Sequence, residues 1–298
     1  MGQAKLGIDV GGTRLKMGLV AQGRVVQRAV VSMSSATVED LVDTISTAID
    51  ALQRQSPWRV NAVGLGVAGV MSPGGQRVLE SPNMPWLNGA PLATLLGERL
   101  KLPTHCDNDA NCVGWGEAIA GAGAGCKDQI CLALGTGVGG SLILDGQLFH
   151  GVRGRGAELG HINIDPDGPP CGCGGRGCLE QYASKTGLLR MLDDYGLGST
   201  DEDPVVALFE QARQGEASAT AIVSSAGEAL GQALANLRRL FGVRTAVLAG
   251  GISGAADLLT PHLHSRAARL GVTDLDVRVG TLDTDAGIIG AAELGADL

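Results

Sequence analysis

Aromatic residues, apolar targeting segments and positive charge are all in short supply here, and each scarcity excludes a class of protein. Phe, Trp and Tyr make up only 3% of the 298 residues. The uncharged stretch 129–144 is interrupted by glycines and is too short to cross a bilayer. The amino terminus, MGQAKLGIDV, has neither the apolar core of a signal peptide nor a myristoylation pattern. We therefore expect a cytoplasmic protein with no membrane partner.

Positive charge is neither abundant nor clustered. The chain has 23 Lys and Arg against 31 Asp and Glu, a net charge of −8. Because a nucleic-acid surface needs a basic patch, we expect no nucleic-acid partner. Four of the seven cysteines, at 106, 112, 126 and 131, have no spacing typical of a disulfide framework.

The sequence contains the same order of predicted elements twice. Residues 6–20 are predicted to form strand, Gly-rich turn and strand, followed by another strand, a helix over 38–54 and a buried strand. The order returns from residue 129, with a helix over 221–241 and a strand ending in paired glycines. We expect two α/β domains facing each other across a cleft. Residues 1–115 would form the first and 116–283 the second, with a helix over 284–298 packing back on the first.

Two Gly-rich turns are candidates for binding phosphate. The chain has no P-loop motif, and GLGVAG (64–69) and GTGVGG (135–140) do not open helices, which excludes a dinucleotide fold. Hairpin turns at Asp9–Thr13 and 135–140 can instead present backbone N–H groups to an oxyanion. Thr13 and Thr136 add hydroxyl donors, and Asp9 could hold Mg²⁺ directly or through water. Either turn alone is equally an ordinary tight hairpin; the pair, at matching places in the repeat, favours phosphate.

One histidine and three cysteines have the spacing of a zinc site. His161, Cys171, Cys173 and Cys178 would supply one nitrogen and three sulfurs, a complete tetrahedral set typical of structural zinc. The alternative is three small buried thiols and a core histidine. Zinc would fix the loop 156–184 and its flanking Glu158 and Glu180, which suit a polyhydroxylated ligand. Each glutamate alone is equally compatible with an ordinary surface carboxylate.

Five segments together resemble the ROK family of bacterial sugar kinases, sugar-responsive repressors and uncharacterised open reading frames. They are GIDVGGTRLKMGLV, SPNMPWLNG, DNDANCVGWGE, LGTGVGGSLILDGQLFHGVRGRGAELGH and CGCGGRGCLEQYAS. The resemblance covers essentially the whole chain and is greatest to the glucokinases of that family. It implies an actin-like, ribonuclease-H-type fold of two α/β domains around a central cleft with a zinc-stabilised loop. It also implies phosphorylation of the 6-hydroxyl of a hexose, glucose above all, by ATP and Mg²⁺, in a homodimer or homotetramer.

The resemblance assigns roles to individual residues. Asp109 is the general base, although within DNDAN it is also a plausible helix N-cap. The expected sugar-binding residues are Gly69, Asn83, Asn108, Glu158, His161 and Glu180. The expected nucleotide, phosphate and Mg²⁺ site comprises Asp9, Gly11, Gly12, Thr13, Arg14, Gly135, Thr136, Gly137, Gly250 and Gly251. Arg14 departs from the lysine common in the family, which could change the geometry at the γ-phosphate.

Several alternatives stay open. N-acetylmannosamine, mannose, fructose or allose could replace glucose, and polyphosphate could replace ATP. A repressor of this family carries a winged-helix region before the first phosphate turn; here that turn begins at residue 9, which disfavours a repressor. A non-catalytic sugar-binding protein is disfavoured by the presence of Asp9, Asp109 and both Gly-rich turns.

Overall fold

Two mixed β-sheets form the framework of the computed structural model, which describes residues 2–197 and 203–294. The described strands are β1 (Gly2–Val10), β2 (Arg14–Ala21), β3 (Arg24–Ser32), β4 (Trp58–Val67), β5 (Val70–Met71), β6 (Val78–Glu80), β7 (Thr104–Asn108), β8 (Gln129–Leu134), β9 (Val138–Leu144), β10 (Gln147–Leu148), β11 (Thr245–Ala249) and β12 (Asp276–Val279). The described helices are α1 (Val38–Arg54), α2 (Leu92–Leu100), α3 (Asp109–Ala120), α4 (Glu180–Ala183), α5 (Lys185–Asp194), α6 (Pro204–Arg213), α7 (Ala217–Phe241), α8 (Ala256–Arg269) and α9 (Asp285–Leu294).

The two large sheets have the same strand order, which confirms the predicted repeat and the α/β class. The first sheet runs β3-β2-β1-β4-β7 and the second β10-β9-β8-β11-β12. In the first, β1 pairs antiparallel with β2 and parallel with β4, and β4 pairs parallel with β7. In the second, β11 pairs parallel with both β8 and β12. Each sheet therefore has three parallel strands and an antiparallel flank.

The chain divides into two compact units. The first comprises the described residues within Met1–Lys127, Ser141–Ala157 and Thr281–Leu298; the second comprises those within Asp128–Gly140 and Glu158–Gly280. Helix α3 lies wholly in the first unit, and so does the segment that contains β10, Ser141–Ala157. No helix in the described part of the chain has both the length and the hydrophobicity that crossing a bilayer requires.

Helix α1 shows how local sequence sets an element. The hydroxyl of Thr37 accepts a hydrogen bond from the backbone N–H of Asp40 at 3.1 Å, which caps the first turn. Leu41, Ile45 and Ile49 recur at helical spacing and are at most 1% exposed. The structure therefore confirms the predicted helix over 38–54.

Two predicted segments end differently in the structure. Helix α7 begins four residues before the predicted position, at Ala217, where the carboxylate of Glu216 accepts a hydrogen bond from the N–H of Ala219. Residues 193–204 are predicted by their acidic, turn-rich composition to form an exposed loop; α5 reaches Asp194, and 198–202 lie outside the described residues. The predicted helix over 284–298 is described as α9 up to Leu294, and 295–298 lie outside the described residues.

Helix α9 lies in backbone contact with the first sheet and with α3. A β-carbon built on Gly7 of β1 or Gly64 of β4 would overlap the carbonyl oxygen of Ile288 or Ala291 in α9. A β-carbon on Gly290 of α9 would likewise overlap the carbonyl oxygen of Cys112 in α3. Close packing of this kind needs glycine on at least one side of each contact, since any side chain would separate the backbones.

A buried glutamate connects the end of α3 to the start of α9. Glu117 is 1% exposed. Its carboxylate accepts hydrogen bonds from three backbone N–H groups, those of Ala122 (2.8 Å), Thr281 (3.1 Å) and Leu282 (3.0 Å). Arg28 of β3 adds an ion pair with Asp285, the first residue of α9. These polar contacts complement the glycine packing and fix where α9 begins.

We expect Gly290→Ala to lower the free energy of unfolding by about 1–3 kcal/mol or more, since the added methyl must displace the α3 backbone. Gly287→Ala in the same helix is the matched control. Its β-carbon would meet only a Val113 methyl group at 3.6 Å, an ordinary van der Waals distance. That change should leave stability unchanged or raise it by up to about 1 kcal/mol, as alanine favours helix. Urea unfolding measures both, and equal stabilities for the two variants would contradict the packing.

Candidate active site

Candidate residues gather at the carboxyl edge of the parallel strands in the first sheet. Asp9 of β1 is level with Gly66 of β4, and Gly66 is level with Asp107 of β7. The turn Asp9–Thr13 follows β1, and α3 follows β7 at the same edge. A β-carbon on Gly66 would lie 3.6 Å from the Cα of Asp109, so α3 begins close to this row. Ligands of α/β proteins commonly bind at such carboxyl ends.

Asn108, rather than Asp109, is the N-cap of α3. The side-chain oxygen of Asn108 accepts hydrogen bonds from the N–H groups of Ala110 (2.9 Å) and Asn111 (3.2 Å). Asp109 is the first helical residue and is half-buried. The N-cap role considered for Asp109 is therefore wrong. An acidic side chain in the first turn is favoured as an anion by the helix dipole.

Gly69 contacts Asn108 in the first unit, and the segment that leads to Asn83 lies beside the loop of Gly69. The amide nitrogen of Asn108 donates to the carbonyl oxygen of Gly69 at 3.0 Å, which leaves one of its two N–H bonds for another partner. Gly69 has φ +142°, and a β-carbon there would overlap the carbonyl oxygen of Glu80. Ser81 donates from its hydroxyl to the carbonyl oxygen of Ala68 at 2.7 Å, which holds the segment leading to exposed Asn83 beside this loop.

The first Gly-rich turn is an exposed hairpin. The N–H of Gly11 donates to the carbonyl oxygen of Arg14 at 3.1 Å, while Gly12 and Thr13 are exposed. Asp9 already forms an ion pair with Lys16 at 3.3 Å. Any Mg²⁺ on Asp9 would therefore share this carboxylate with an ammonium group or displace it.

A buried carboxylate that sequence reasoning missed lies behind Asn108 and Asp109. Asp107 is 2% exposed and accepts hydrogen bonds from the Asn108 N–H (2.7 Å) and the Asn111 side-chain amide (2.8 Å). Its other oxygen lies 2.7 Å from Nε2 of His150. Burial alone would raise the pKa of Asp107, but the imidazoles of His105 and His150 and the Asn111 amide outweigh it and hold the pKa well below its usual range. The only sequence signal was the paired acids of DNDAN.

The second unit has two Gly-rich turns at the carboxyl edge of its own sheet. Gly135–Gly137 follows β8 and Gly250–Gly251 follows β11, its parallel neighbour. Gly250 has φ +85°, and a β-carbon there would overlap the backbone of Leu134, so the two turns are in close contact. The start of α5 is held to the first of them, as the N–H of Lys185 donates to the carbonyl oxygen of Gly135 at 2.8 Å and the Thr186 hydroxyl donates to that of Thr136 at 2.9 Å.

Val138 connects the Gly135–Gly137 turn to the residues expected to bind sugar. Its N–H donates to Oε2 of Glu180 at 3.0 Å. A β-carbon on Gly160 would overlap the carbonyl oxygen of Val138, so the 3-10 turn Leu159–His161 packs directly on Val138. Glu158 and His161, at the two ends of this turn, are exposed. Glu180 and the turn that ends in His161 and follows Glu158, which include three predicted sugar-binding residues, thus both contact one residue of β9, Val138.

The ligand atoms of His161, Cys171, Cys173 and Cys178 all lie within 4.8 Å of one another. Nδ1 of His161 is 3.6 Å from Sγ of Cys171, and Sγ of Cys173 is 3.6 Å from Sγ of Cys178. Tetrahedral zinc with ordinary bond lengths separates such ligand atoms by about 3.5–3.8 Å. The donor set therefore fits zinc, and binding through Nδ1 would leave Nε2 of His161 for another partner.

Glycines and backbone hydrogen bonds shape the loop that carries these ligands. Gly174 has φ +89° and Gly177 φ +57°, which glycine adopts without strain. The N–H of Cys171 donates to the carbonyl oxygen of Gly175 at 2.9 Å. The backbone N–H of Gly175 lowers the pKa of the exposed Cys173 thiol, whereas burial raises that of Cys178. A metal ion would be needed to hold both as thiolates at neutral pH.

The ROK family model matches residues 5–297. The chain belongs to the ROK family. It is 34% identical to a glucokinase of Halalkalibacterium halodurans, over 97% of this chain and 94% of that relative. It is 30% identical to an N-acetylmannosamine kinase of Escherichia coli O157:H7, over 97% of each.

The solved structures similar to this ROK protein include a ROK family glucokinase from Streptomyces griseus in complex with glucose and AMPPNP. The two chains are 35% identical and superpose with a TM-score of 0.82, over 99% of this chain and 100% of the other. The two-sheet α/β fold described above is therefore the ROK fold.

We expect the purified protein to contain one zinc ion per chain, and Cys173→Ser to lose it, because removal of one sulfur leaves an incomplete tetrahedral set. A strong chelator should lower the melting temperature of the wild type and change that of Cys173→Ser much less. Cys126→Ser, outside the cluster, is the control and should keep its zinc. Elemental analysis with thermal unfolding makes the measurement; a Cys173→Ser protein with full zinc content would contradict the assignment.

Proposed function

We propose that this ROK protein is an ATP-dependent hexose kinase that phosphorylates the 6-hydroxyl of glucose, with Asp109 as general base. The observation that carries the proposal is the position of Asp109, half-buried in the first turn of α3 at the carboxyl edge of the first sheet. Full-length similarity to glucokinases supports the reaction and the sugar. The predicted central cleft between the domains stays a prediction.

Asp109 would accept the proton of the attacking hydroxyl. Phosphoryl transfer passes through a loose transition state, so the hydroxyl proton leaves late and an aspartate can serve as its acceptor. The dipole of α3 favours the ionised carboxylate. Asn108 would orient the sugar through the N–H that its bond to Gly69 leaves over, with Asn83 and Gly69 beside it.

The Gly-rich turns would bind the donor. Backbone N–H groups at Gly11, Gly12, Thr13 and Gly135–Gly137 can hydrogen-bond to phosphate oxygens, and the hydroxyls of Thr13 and Thr136 can add to them. Arg14 would neutralise charge on the transferred group, Asp9 would hold Mg²⁺, and Gly250–Gly251 would adjoin the nucleotide. Mg²⁺ bound there supplies charge neutralisation for the phosphates.

The zinc loop would serve recognition of the sugar. Zinc bound by His161, Cys171, Cys173 and Cys178 would fix the loop rather than activate water, as all four ligands come from the protein. Glu158, Glu180 and Nε2 of His161 would then accept and donate hydrogen bonds to ring hydroxyls on the anomeric side. Glu180 can do this with its Oε1, since Oε2 accepts the Val138 N–H.

N-acetylmannosamine is the second candidate acceptor. The observation that favours it is 30% identity to an N-acetylmannosamine kinase over 97% of the chain. Both candidates use the same base and the same phosphate turns, and they differ only in whether the pocket accepts an N-acetyl group at the sugar's second carbon.

A coupled ADP-release assay with ATP and Mg²⁺ tests the proposal against glucose, mannose, fructose, allose, N-acetylglucosamine and N-acetylmannosamine. Glucose should give the highest kcat/KM, and Asp109→Asn should lower kcat on the order of 10²–10⁴-fold. Asp40→Asn is the matched control, an exposed acid in the first turn of another helix of the same unit, and should retain activity.

Highest turnover with N-acetylmannosamine would keep the mechanism and replace the acceptor. Sugar-induced thermal stabilisation without any turnover would favour a non-catalytic sugar-binding protein and overturn the kinase proposal. Polyphosphate in place of ATP, assayed in parallel, separates the two donors.

Arg14 offers a separate test of the donor site. Arg14→Lys keeps the cation and should keep most of the activity, whereas Arg14→Met should lower kcat on the order of 100-fold, as expected for loss of a charged group at the transferred phosphate. Arg24→Met is the matched control, because Arg24 is likewise the exposed first residue of a strand in the same sheet. Full activity in Arg14→Met would exclude Arg14 from the phosphate site.

A further inference from the structure

The side chain of Asp107, two residues before the proposed base Asp109, is 3% exposed. Its Oδ2 lies 2.7 Å from Nε2 of His150. We propose that Asp107 is a positioning residue for phosphoryl transfer and that protonated His150 is its counter-ion, so that the pair fixes the first turn of α3 and with it Asp109. This inference rests on the proposed function, which gives Asp109 the role of base. Neither Asp107 nor His150 is expected to touch the sugar or the nucleotide.

One oxygen of Asp107 accepts hydrogen bonds from residues on both sides of Asp109, a backbone N–H before it and a side-chain amide after it. Oδ1 accepts the N–H of Asn108 at 2.7 Å, the residue before the base. The same oxygen accepts the side-chain amide of Asn111 at 2.8 Å, two residues after it. If this oxygen moves, the Asp107–Asn108 peptide and the side chain of Asn111 in the first turn of α3 both lose a hydrogen-bond acceptor. A displacement of about 1 Å at a reacting group can cost on the order of 100-fold in rate.

The other oxygen of Asp107 receives the compensating charge. Oδ2 lies 2.7 Å from Nε2 of His150 and 3.9 Å from Nε2 of His105. In the described ranges 2–197 and 203–294, these histidines are the cationic partners of Asp107 in ion pairs. A buried carboxylate left without a partner is strongly disfavoured, so the pair with His150 keeps Asp107 both ionised and in place.

The remaining titratable groups around Asp107 cannot replace that charge. They are the thiols of Cys106 on β7 and Cys112 on α3, with Asp9 on β1 and Asp109 on α3 close to Cys112 in turn. Burial raises the pKa of the Cys106 and Cys112 thiols, so both stay neutral. The two aspartates carry the same sign as Asp107. Among the described residues, His105 is the other basic partner of Asp107 in an ion pair, and its Nε2 lies 3.9 Å from Oδ2 against 2.7 Å for Nε2 of His150.

The ring of His150 can exchange its proton with solvent while the backbone on both sides of it stays hydrogen-bonded. It follows β10, where the N–H of Phe149 donates to the carbonyl oxygen of Leu142 and the N–H of Gly156 donates to that of His150, both at 2.8 Å. Its side chain is 45% exposed, so protons exchange with solvent. The hydrogen bond with Asp107 raises the pKa of His150 above its ordinary 6.5.

The direction of the pH effect follows from that raised pKa. In the unfolded chain the pKa of His150 is its ordinary 6.5, and in the fold it is higher. The stabilisation from the raised pKa is therefore fully present below pH 6.5 and is lost as pH rises through the folded pKa of His150. Above it, Asp107 is left without its cation, and the anchor of Asn108 and Asn111 weakens. We therefore expect kcat to fall on the alkaline side as His150 loses its proton.

The experiment measures kcat and KM for ATP between about pH 6 and 9.5, a range that covers histidine titration. The proteins are the wild type, Asp107→Asn, His150→Gln, His150→Lys and, as control, His264→Gln, an exposed histidine in α8. Asp107→Asn and His150→Gln should lower kcat about tenfold at pH 7 with KM for ATP unchanged. His150→Gln should also lose the alkaline fall, and His150→Lys should move it to higher pH.

The outcomes separate this inference from the proposed function. A wild type that phosphorylates no sugar overturns both. An active wild type with His150→Gln matching it in kcat and in the alkaline fall overturns the positioning role and leaves the kinase proposal intact. If Asp107→Asn does not fold, the two His150 variants decide, because that side chain is half-exposed.

A titration of the His150 ring by nuclear magnetic resonance checks the pair without any assay of activity. The pKa of His150 should return toward 6.5 in Asp107→Asn and should be unaffected by His264→Gln. An unchanged His150 pKa in Asp107→Asn would overturn the assignment of His150 as counter-ion.

Discussion

Backbone contact between α9, α3 and the first sheet sets the position of the proposed base. Gly7 and Gly64 of the sheet admit the carbonyl groups of α9, and Gly290 of α9 admits that of Cys112 in α3. Helix α9 therefore contacts both the strands and α3, and the first residue of α3, Asp109, lies near Gly66 of β4. A larger residue at these contacts would move the helix that carries the proposed base, since a packed interior leaves no room for extra atoms.

Periodicity and spacing predicted much of the architecture. Helix α1 could be predicted because apolar residues such as Leu41, Ile45 and Ile49 recur at every turn, and Thr37 caps its first turn in the structure. The cluster of candidate zinc ligands could be predicted because it is local, with three sulfurs within eight residues and glycines that let the loop turn, and the structure brings its ligand atoms together. The repeated order of elements along the chain predicted two similar α/β units, and the strand order within each sheet was supplied by the structure.

Contacts that depend on distant segments could not be predicted. Asp107 and His150 are 43 residues apart, and nothing in either segment specifies the loop that joins them. The cap of α3 was misjudged by one residue, because Asn108 and Asp109 are both good N-caps and only the backbone of Asn108, with φ −62° and ψ 141°, distinguishes them. The roles of individual residues in binding sugar and nucleotide remain predictions from the family resemblance.

The two backbone contacts of Val138 have a thermodynamic consequence. Its N–H holds Glu180 and its carbonyl group packs on Gly160, while the Gly135–Gly137 turn precedes it directly. If phosphate and sugar bind as proposed, a phosphate that reshapes the turn would also alter the energy of Glu180 and of the turn that contains His161, and a sugar that orders those residues would alter the Gly135–Gly137 turn. Any such coupling free energy is the same in both directions, so donor and acceptor would raise or lower each other's affinity by an equal factor.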